Sequence, residues 1–319
     1  MARTDAAGVR EVAVPVCDGV TLIDVAGPVQ ALSDAGGYRV RIASRDGGPV
    51  VTDAHVPLVA DCSWAEFENA PVDTLLVPGY PPGALTQVDA DFLAGVSRIA
   101  AGARRVVSVC TGAFVLAAAG LLDGRRATSH WQALPLLAAR FPAVAWQPDA
   151  IYVCDGPVIT SAGATAGIDL ALALIGDDHG EERARAVARY LVVFLQRPGG
   201  QQQYRPSEAI RPAHPLVRAA TERMTADLTA DHSPPALAAA LAVSERHLTR
   251  LFRRELGRTP GQHLEHLRVR AAQQLLESQE STVPGVARAA GFGTAESMRR
   301  AFHRVLGISP SAYRHRFRL

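Results

Sequence analysis

The chain has 319 residues, 48% of them hydrophobic, enough for about two globular domains with their own cores. Its four cysteines, Cys17, Cys62, Cys110 and Cys154, lie dozens of residues apart without a Cys-x-x-Cys pair, which argues against a disulfide framework and a zinc site; no metal or other cofactor is expected. The net charge of +2 hides a division: residues 1–200 carry 15 Arg against 21 acids, whereas 201–319 carry 18 Arg against 10 acids and seven of the ten histidines. Such a basic half predicts a polyanionic partner, the alternative being a solvated imbalance with no partner at all. The start, MARTDAAGVREV, has no apolar signal core, and the long apolar stretch 106–122 is broken by Ser108, Thr111, Gly112 and Gly120. A cytoplasmic protein without a membrane span is expected.

In chain order, apolar segments at 11–16, 38–43, 73–77, 105–109 and 158–161 alternate with helical candidates. Continuous apolar strands separated by helices predict an α/β domain, a parallel sheet covered by helices on both faces. The most informative junction is VVSVCTGAFVLAAAG, where a buried strand ends at Cys110 and a helix opens at Thr111. A thiol there is expected at the carboxyl edge of the sheet, with its pKa lowered by the helix N-terminus; the competing reading is a cysteine packed as a small hydrophobe.

The segments GVTLIDVAGPVQAL, DTLLVPG, VCTGAFVLAAAGLLDGRRATSHW and VITSAGATAGIDLALALI, in this order, resemble the ThiJ/PfpI branch of the glutamine-amidotransferase-like superfamily, over about residues 9–195. The resemblance implies a flavodoxin-like fold in which an elbow cysteine meets an early acid and a downstream histidine. The matching positions are Cys110, Asp24 and His130, with the Gly79 and Thr111 amides forming an anion pocket. Asp24 and His130 also have plainer readings, a helix cap or a satisfied polar core group. Thr111 follows the cysteine where peptidase-like members have histidine, and Tyr80 replaces a second glycine, so peptidase chemistry is not expected. Isonitrile hydratase, a member, shares the cysteine, aspartate and following threonine.

Next comes QRPGGQQQYRPSEAIRPAHP, without helical or strand periodicity, which predicts a linker over 196–215 between a domain at 1–195 and another at 216–319. Within the latter the chain repeats itself at a spacing of 50: SERHLTRLFRRELGRTP aligns with TAESMRRAFHRVLGISP, bringing Arg250 onto Arg300, Phe252 onto Phe302 and Gly257 onto Gly307. Ser244 and Thr294 suit an N-cap, and Gly257 and Gly307 a left-handed stop. Leu248, Leu251, Phe252 and Leu256 share one face of the first helix, leaving Arg246, Thr249, Arg250 and Arg253 on the other; the second buries Met298, Ala301, Phe302 and Val305 and presents Glu296, Ser297, Arg300 and Arg304. A short Ala-rich helix precedes each, at 234–241 and 284–290, with Gly291 at the second turn, and a helix at 261–277 joins the copies. These are two helix-turn-helix units in an all-α domain, whose polar faces are expected to bind double-stranded DNA. His263 and His266 lie one turn apart, a helix face rather than metal ligands.

GFGTAESMRRAFHRVLGISPSAYR, preceded by the matching first copy, resembles the AraC/XylS family over about residues 215–317. A glycine at 285 departs from the pattern and weakens the second short helix. The two resemblances in this order match GlxA-type regulators. They imply a transcription regulator whose N-terminal domain senses a small-molecule effector and forms a homodimer. The alternative is a bifunctional protein whose N-terminal domain is a Cys110-dependent hydratase or amidase.

Overall fold

The computed structural model describes residues 8–68, 70–81, 83, 88–195, 200–204, 212, 214–278 and 282–317. The chain divides into two compact units, Met1–Arg197 and Pro198–Leu319. Of the linker expected at 196–215, residues 196–199, 205–211 and 213 lie outside the described residues, and Gln201–Tyr204 forms one 3-10 turn. Among the described residues no helix is long and apolar enough to cross a membrane.

The first unit runs β1 (Arg10–Pro15), α1 (Leu22–Ala35), β2 (Tyr38–Ser44), β3 (Val50–Val51), β4 (Pro57–Leu58), β5 (Cys62–Ser63), α2 (Trp64–Glu68), β6 (Thr74–Val77), α3 (Ala90–Gly102), β7 (Arg105–Val109), α4 (Gly112–Ala118), β8 (Arg126–Ala127), α5 (Leu134–Arg140), β9 (Ala145–Trp146), β10 (Tyr152–Asp155), β11 (Val158–Ser161), α6 (Ala166–His179) and α7 (Glu181–Tyr190). Seven strands form one sheet in the order β10-β11-β7-β6-β1-β2-β5. Every residue of β6, β7 and β11 is buried, as strands covered on both faces must be. On one face α1, α6 and α7 pack together; α3 lies between α2 and α4 on the other. The sheet is parallel except at one edge, where β10 runs antiparallel to β11 with Tyr152 opposite Ser161. The expected parallel sheet thus carries one antiparallel edge strand: residues 152–155 return by a tight turn, which needs no crossover helix.

The second unit comprises α8 (Pro215–Ala226), α9 (Pro234–Ala240), α10 (Glu245–Leu256), α11 (Pro260–Ser278), α12 (Val283–Ala289), α13 (Ala295–Leu306) and α14 (Pro310–Phe317). It has two small cores. Val217, Ala220, Met224, Leu237, Leu248, Leu251, Phe252 and Leu264 fill the first. Val269, Ala272, Leu276, Val286, Ala287, Met298, Phe302 and Tyr313 are among those filling the second. Helix α11 supplies side chains to both, so each copy folds against one end of the same rod. Shared burial of this kind makes the copies cooperative.

Candidate functional site

In the first unit four chain segments converge at the carboxyl end of the sheet. The turn from β7 to α4 places Cys110 in the left-handed region, at φ +58°, a strain that a sharp strand-to-helix elbow imposes. From α1 comes Asp24, wholly buried, whose Oδ1 accepts the Ala164 N–H at 2.8 Å. The loop after β6 brings Gly79, where an ideal β-carbon would lie 2.5 Å from Asp24 Oδ2 and 2.8 Å from the β-carbon of Cys110. The loop after β11 brings Gly163, whose β-carbon would lie 2.7 Å from Cys110 Sγ. Only a bare backbone fits on these two sides of the thiol.

Thr111 is committed to this frame. Its hydroxyl accepts the Tyr80 N–H at 2.7 Å and donates to the Tyr80 carbonyl at 2.6 Å, tying the β6 loop to the elbow. The buried Tyr80 phenol oxygen in turn accepts the Cys17 N–H at 3.2 Å, and the Ser129 hydroxyl donates to the Cys110 carbonyl at 2.7 Å. The two amides expected to form an anion pocket face inward, Gly79 toward the Asp24 carboxylate and Thr111 toward the Cys110 sulfur.

Electrostatics at the elbow run against the expectation of a lowered thiol pKa. Burial pushes the Cys110 thiol well up, the negative charge of Asp24 pushes the same way, and the Thr111 amide offsets only part. A seven-residue helix is a weak opposing dipole. Burial likewise raises Asp24 to about 6, against the hydrogen bond from Ala164 and weaker support from the Cys110 thiol and the Gly79 amide. Its Oδ2 has no hydrogen-bond partner of normal geometry among the described residues. The resting site therefore holds a neutral thiol beside a buried carboxylate with a spare acceptor.

Among the described residues His130 makes no hydrogen bond to this set. Its Nδ1 accepts the Gln132 N–H at 3.3 Å, its ring lies against Trp131, and burial alone lowers its pKa, with no contribution from Asp24 or Cys110. The structure thus brings together Asp24, Gly79, Cys110 and Thr111 and leaves His130 outside their hydrogen bonds. The residues that sequence reasoning did not single out are Ser129 and the Gly163–Ala164 pair. Gly163 and Ala164 are signalled only by the small-residue run between β11 and α6, and Ser129 only by its place next to His130.

In the second unit each copy is a short helix, a tight turn and an amphipathic helix. The Ser244 hydroxyl accepts the His247 N–H at 3.2 Å and the Thr294 hydroxyl accepts the Ser297 N–H at 3.1 Å. Gly257 and Gly307 end the helices in the left-handed conformation at φ +65° and +72°. The first turn bends at Ala242 and the second at Gly291, each followed by an amide bonded five residues back, Val243 to Ala238 and Phe292 to Ala287. The second turn is one residue longer before its cap.

Arg246, Arg250, Arg253, Glu296, Arg300 and Arg304 are exposed, and Thr249 and Ser297 half-buried. Arg250 meets His247 at 3.0 Å on its own helix. Ser297 serves the cap, its hydroxyl oxygen also accepting from Thr294 at 2.9 Å. Arg304 is held by both oxygens of Glu265 on α11, at 3.1 and 2.6 Å, and Glu296 by the guanidinium of Arg299, at 2.8 Å to each oxygen. Glu265 and Arg299 were not singled out in the sequence. The former belongs to another helix, and the latter interrupts an otherwise apolar stripe.

Two family models match the chain, the DJ-1/PfpI family over residues 10–177 and a helix-turn-helix domain over residues 237–316. It is 32% identical over 278 residues to the HTH-type transcriptional regulator CdhR of Pseudomonas aeruginosa, spanning 86% of this chain and 81% of that protein. To the HTH-type transcriptional regulator GlxA of Rhizobium meliloti it is 32% identical over 283 residues, spanning 88% and 86%. A solved ThiJ/PfpI family protein from Pseudomonas syringae superposes with a TM-score of 0.54 at 30% identity, covering 74% of this chain and 91% of that one.

Proposed function

The chain belongs to the DJ-1/PfpI family and carries an AraC-type helix-turn-helix domain, and from this premise we propose that it is a sequence-specific DNA-binding transcriptional regulator controlled by a small molecule bound near Cys110 and Asp24. The observation that carries the DNA-binding reading is the duplicated unit: two capped recognition helices with exposed arginines, built on the shared rod α11. Helices held at fixed separation on one rod suit successive major grooves on one face of the duplex. Phosphate neutralisation by the arginine-rich half supplies affinity, and the polar helix faces supply selection.

For the first unit the supporting observation is Asp24 Oδ2, buried and without a hydrogen bond of normal geometry, beside a neutral thiol. A ligand that donates a hydrogen bond to Oδ2 is held there, and the protonated thiol disfavours turnover. A receptor profits from retention, because turnover erases its signal. The ligand must bind the DNA-competent and DNA-incompetent arrangements with different affinities, since equal affinity shifts nothing. We place the protein in the cytoplasm as a homodimer, with 196–215 as the linker through which this bias passes.

The deciding experiment has two arms. Footprinting of the full chain on duplexes enriched from a random pool should show protection about one helical turn apart, lost when Arg250 and Arg300 are both replaced by alanine. Incubation of the same protein with isonitriles, amides and glyoxals should give no Cys110-dependent turnover. Fast turnover of one of these, without effect on DNA binding, replaces the sensor by a hydratase or amidase.

A further inference from the structure

We propose that the two recognition helices read opposite bases at one equivalent position, Arg246 selecting a guanine and Glu296 a cytosine. The inference deepens the DNA-binding reading and rests on it. Helices α10 and α13 are in register through their caps: Ser244 and Thr294 each bond the amide three residues on, so the second residue after each cap is Arg246 in one copy and Glu296 in the other. Both are exposed. Residues at the N-terminal end of a recognition helix are the ones that reach base edges, so a reversal of charge there changes what the groove must offer.

A carboxylate facing a polyanion needs compensation, and here it is built in. The Arg299 fork closes on Glu296 from the next turn, Nε to Oε2 and Nη2 to Oε1, each at 2.8 Å. Arg300 adds positive potential on the same helix, and the two guanidinium groups, Arg299 first, hold the carboxyl below its usual range. The group is therefore an acceptor only. An ionised carboxylate has about four acceptor positions, of which the fork takes one per oxygen, leaving one on each. In the major groove the cytosine N4 amino group donates with no acceptor beside it, adenine N6 donates next to the N7 acceptor that repels a second carboxylate oxygen, and guanine O6 and N7 and thymine O4 only accept. Arg246 carries the complementary set, donors alone, which pair with guanine O6 and N7. A carboxylate in a first turn also suits the helix dipole, and an exposed ion pair contributes little stability, so a purely structural Glu296 would carry no base preference.

Selection from a random duplex pool by the full-length protein, at fixed salt, tests this. The wild type should retain a C at one position of one half-site and a G at the corresponding position of the other, each preferred by about fivefold or more over the remaining bases. Glu296→Gln should move the C to A, because an amide pairs with adenine N6 and N7, and Glu296→Arg should move it to G, with the other half-site untouched. Arg246→Glu should turn the other half-site's G into C. Both side chains are exposed, and unchanged melting of the variants confirms that the fold is intact. An unaltered consensus with uniformly tighter binding by Glu296→Gln overturns the assignment while leaving DNA binding standing. A wild type that enriches no sequence overturns the DNA-binding reading itself.

Discussion

The carbonyl oxygen of Leu228 lies where a β-carbon on Gly291 would have to go, and the guanidinium of Arg268 donates two hydrogen bonds to that same oxygen, at 3.0 and 2.8 Å. Leu228 lies between α8 and α9 and packs against the core of copy one, and Gly291 is the turn of copy two, so this contact ties the two cores together beyond their shared rod. Gly291 also sits at φ +80°. An alanine there meets both the left-handed penalty, about 1–2 kcal/mol, and the overlap with Leu228. Gly291→Ala should destabilise the DNA-binding unit by about 3 kcal/mol, lowering its melting temperature by roughly 10 °C. Arg268→Ala should cost about 1–3 kcal/mol, since it strands a carbonyl. If Gly291→Ala melts with the wild type, the contact does not hold the copies together.

The equivalent turn in copy one is made by Ala242, at φ +53° and exposed. It bears the same strain without a glycine's freedom, and its exposed methyl group buries little surface to offset it. Ala242→Gly should therefore stabilise the unit by about 0.5–1 kcal/mol, the strain relief less the added flexibility of the unfolded chain. Chemical denaturation at constant slope measures it. A lower midpoint would show that the methyl group contributes more than the turn geometry costs.

Recognition should be divided between the copies. Arg250→Ala and Arg300→Ala should each remove about 1–3 kcal/mol of discrimination and relax different positions of the site. The equivalent pair Arg254 and Arg304 should behave differently from each other. Arg304 is neutralised by Glu265, whereas Arg254 has no carboxylate partner among the described residues. Arg254→Ala should lower the slope of log K against log salt by about 0.9, and Arg304→Ala by much less. Equal changes in slope would mean that Arg304 leaves Glu265 for phosphate when DNA binds.

Much of this architecture was legible because particular residues have few physical alternatives. Ser244, Thr294, Gly257 and Gly307 mark helix ends by cap chemistry, and the fully buried β6 and β11, with β7 after its opening Arg105, are written as apolar or small-residue runs. The two-residue ribbons β3–β4 and β8–β9 are too short to show any periodicity, and the half-buried β10 resembles a loop. Within the site, the order of the segments placed Cys110 and Asp24 together by resemblance. The direction of the thiol's shift depends on burial and on a carboxylate remote in sequence, which no local pattern encodes. His130 illustrates the same limit, since its neighbours Gln132 and Trp131 are local and its distance from the thiol is a matter of tertiary packing. The Leu228–Gly291 contact likewise joins residues whose turn chemistry gives each a sufficient local explanation.

The buried pair at the elbow makes a prediction about pH and reactivity together. Asp24 rises from 3.8 to about 6 on folding, so between those values the native state holds a proton that the unfolded chain has lost. Stability from this group is complete below about 4 and is lost as pH rises through 6, a difference of about 3 kcal/mol by pH 8. Paired carboxylates such as Asp73, lowered to about 2 chiefly by Arg104, act in the opposite sense at lower pH, so the comparison must be with a variant and not with pH alone. Asp24→Asn keeps the shape and removes the charge. It should melt higher than the wild type at pH 8, with the gap closing toward pH 4. The same substitution removes one of the two influences that raise the Cys110 thiol, leaving burial as the other. Alkylation of Cys110 by iodoacetamide at pH 7.5 should accordingly be slower than that of free cysteine in the wild type and faster in Asp24→Asn, with Cys110→Ser as the unlabelled control. Labelling of the wild-type thiol faster than free cysteine would mean an activated nucleophile, and the catalytic reading of the first unit would then displace the sensor.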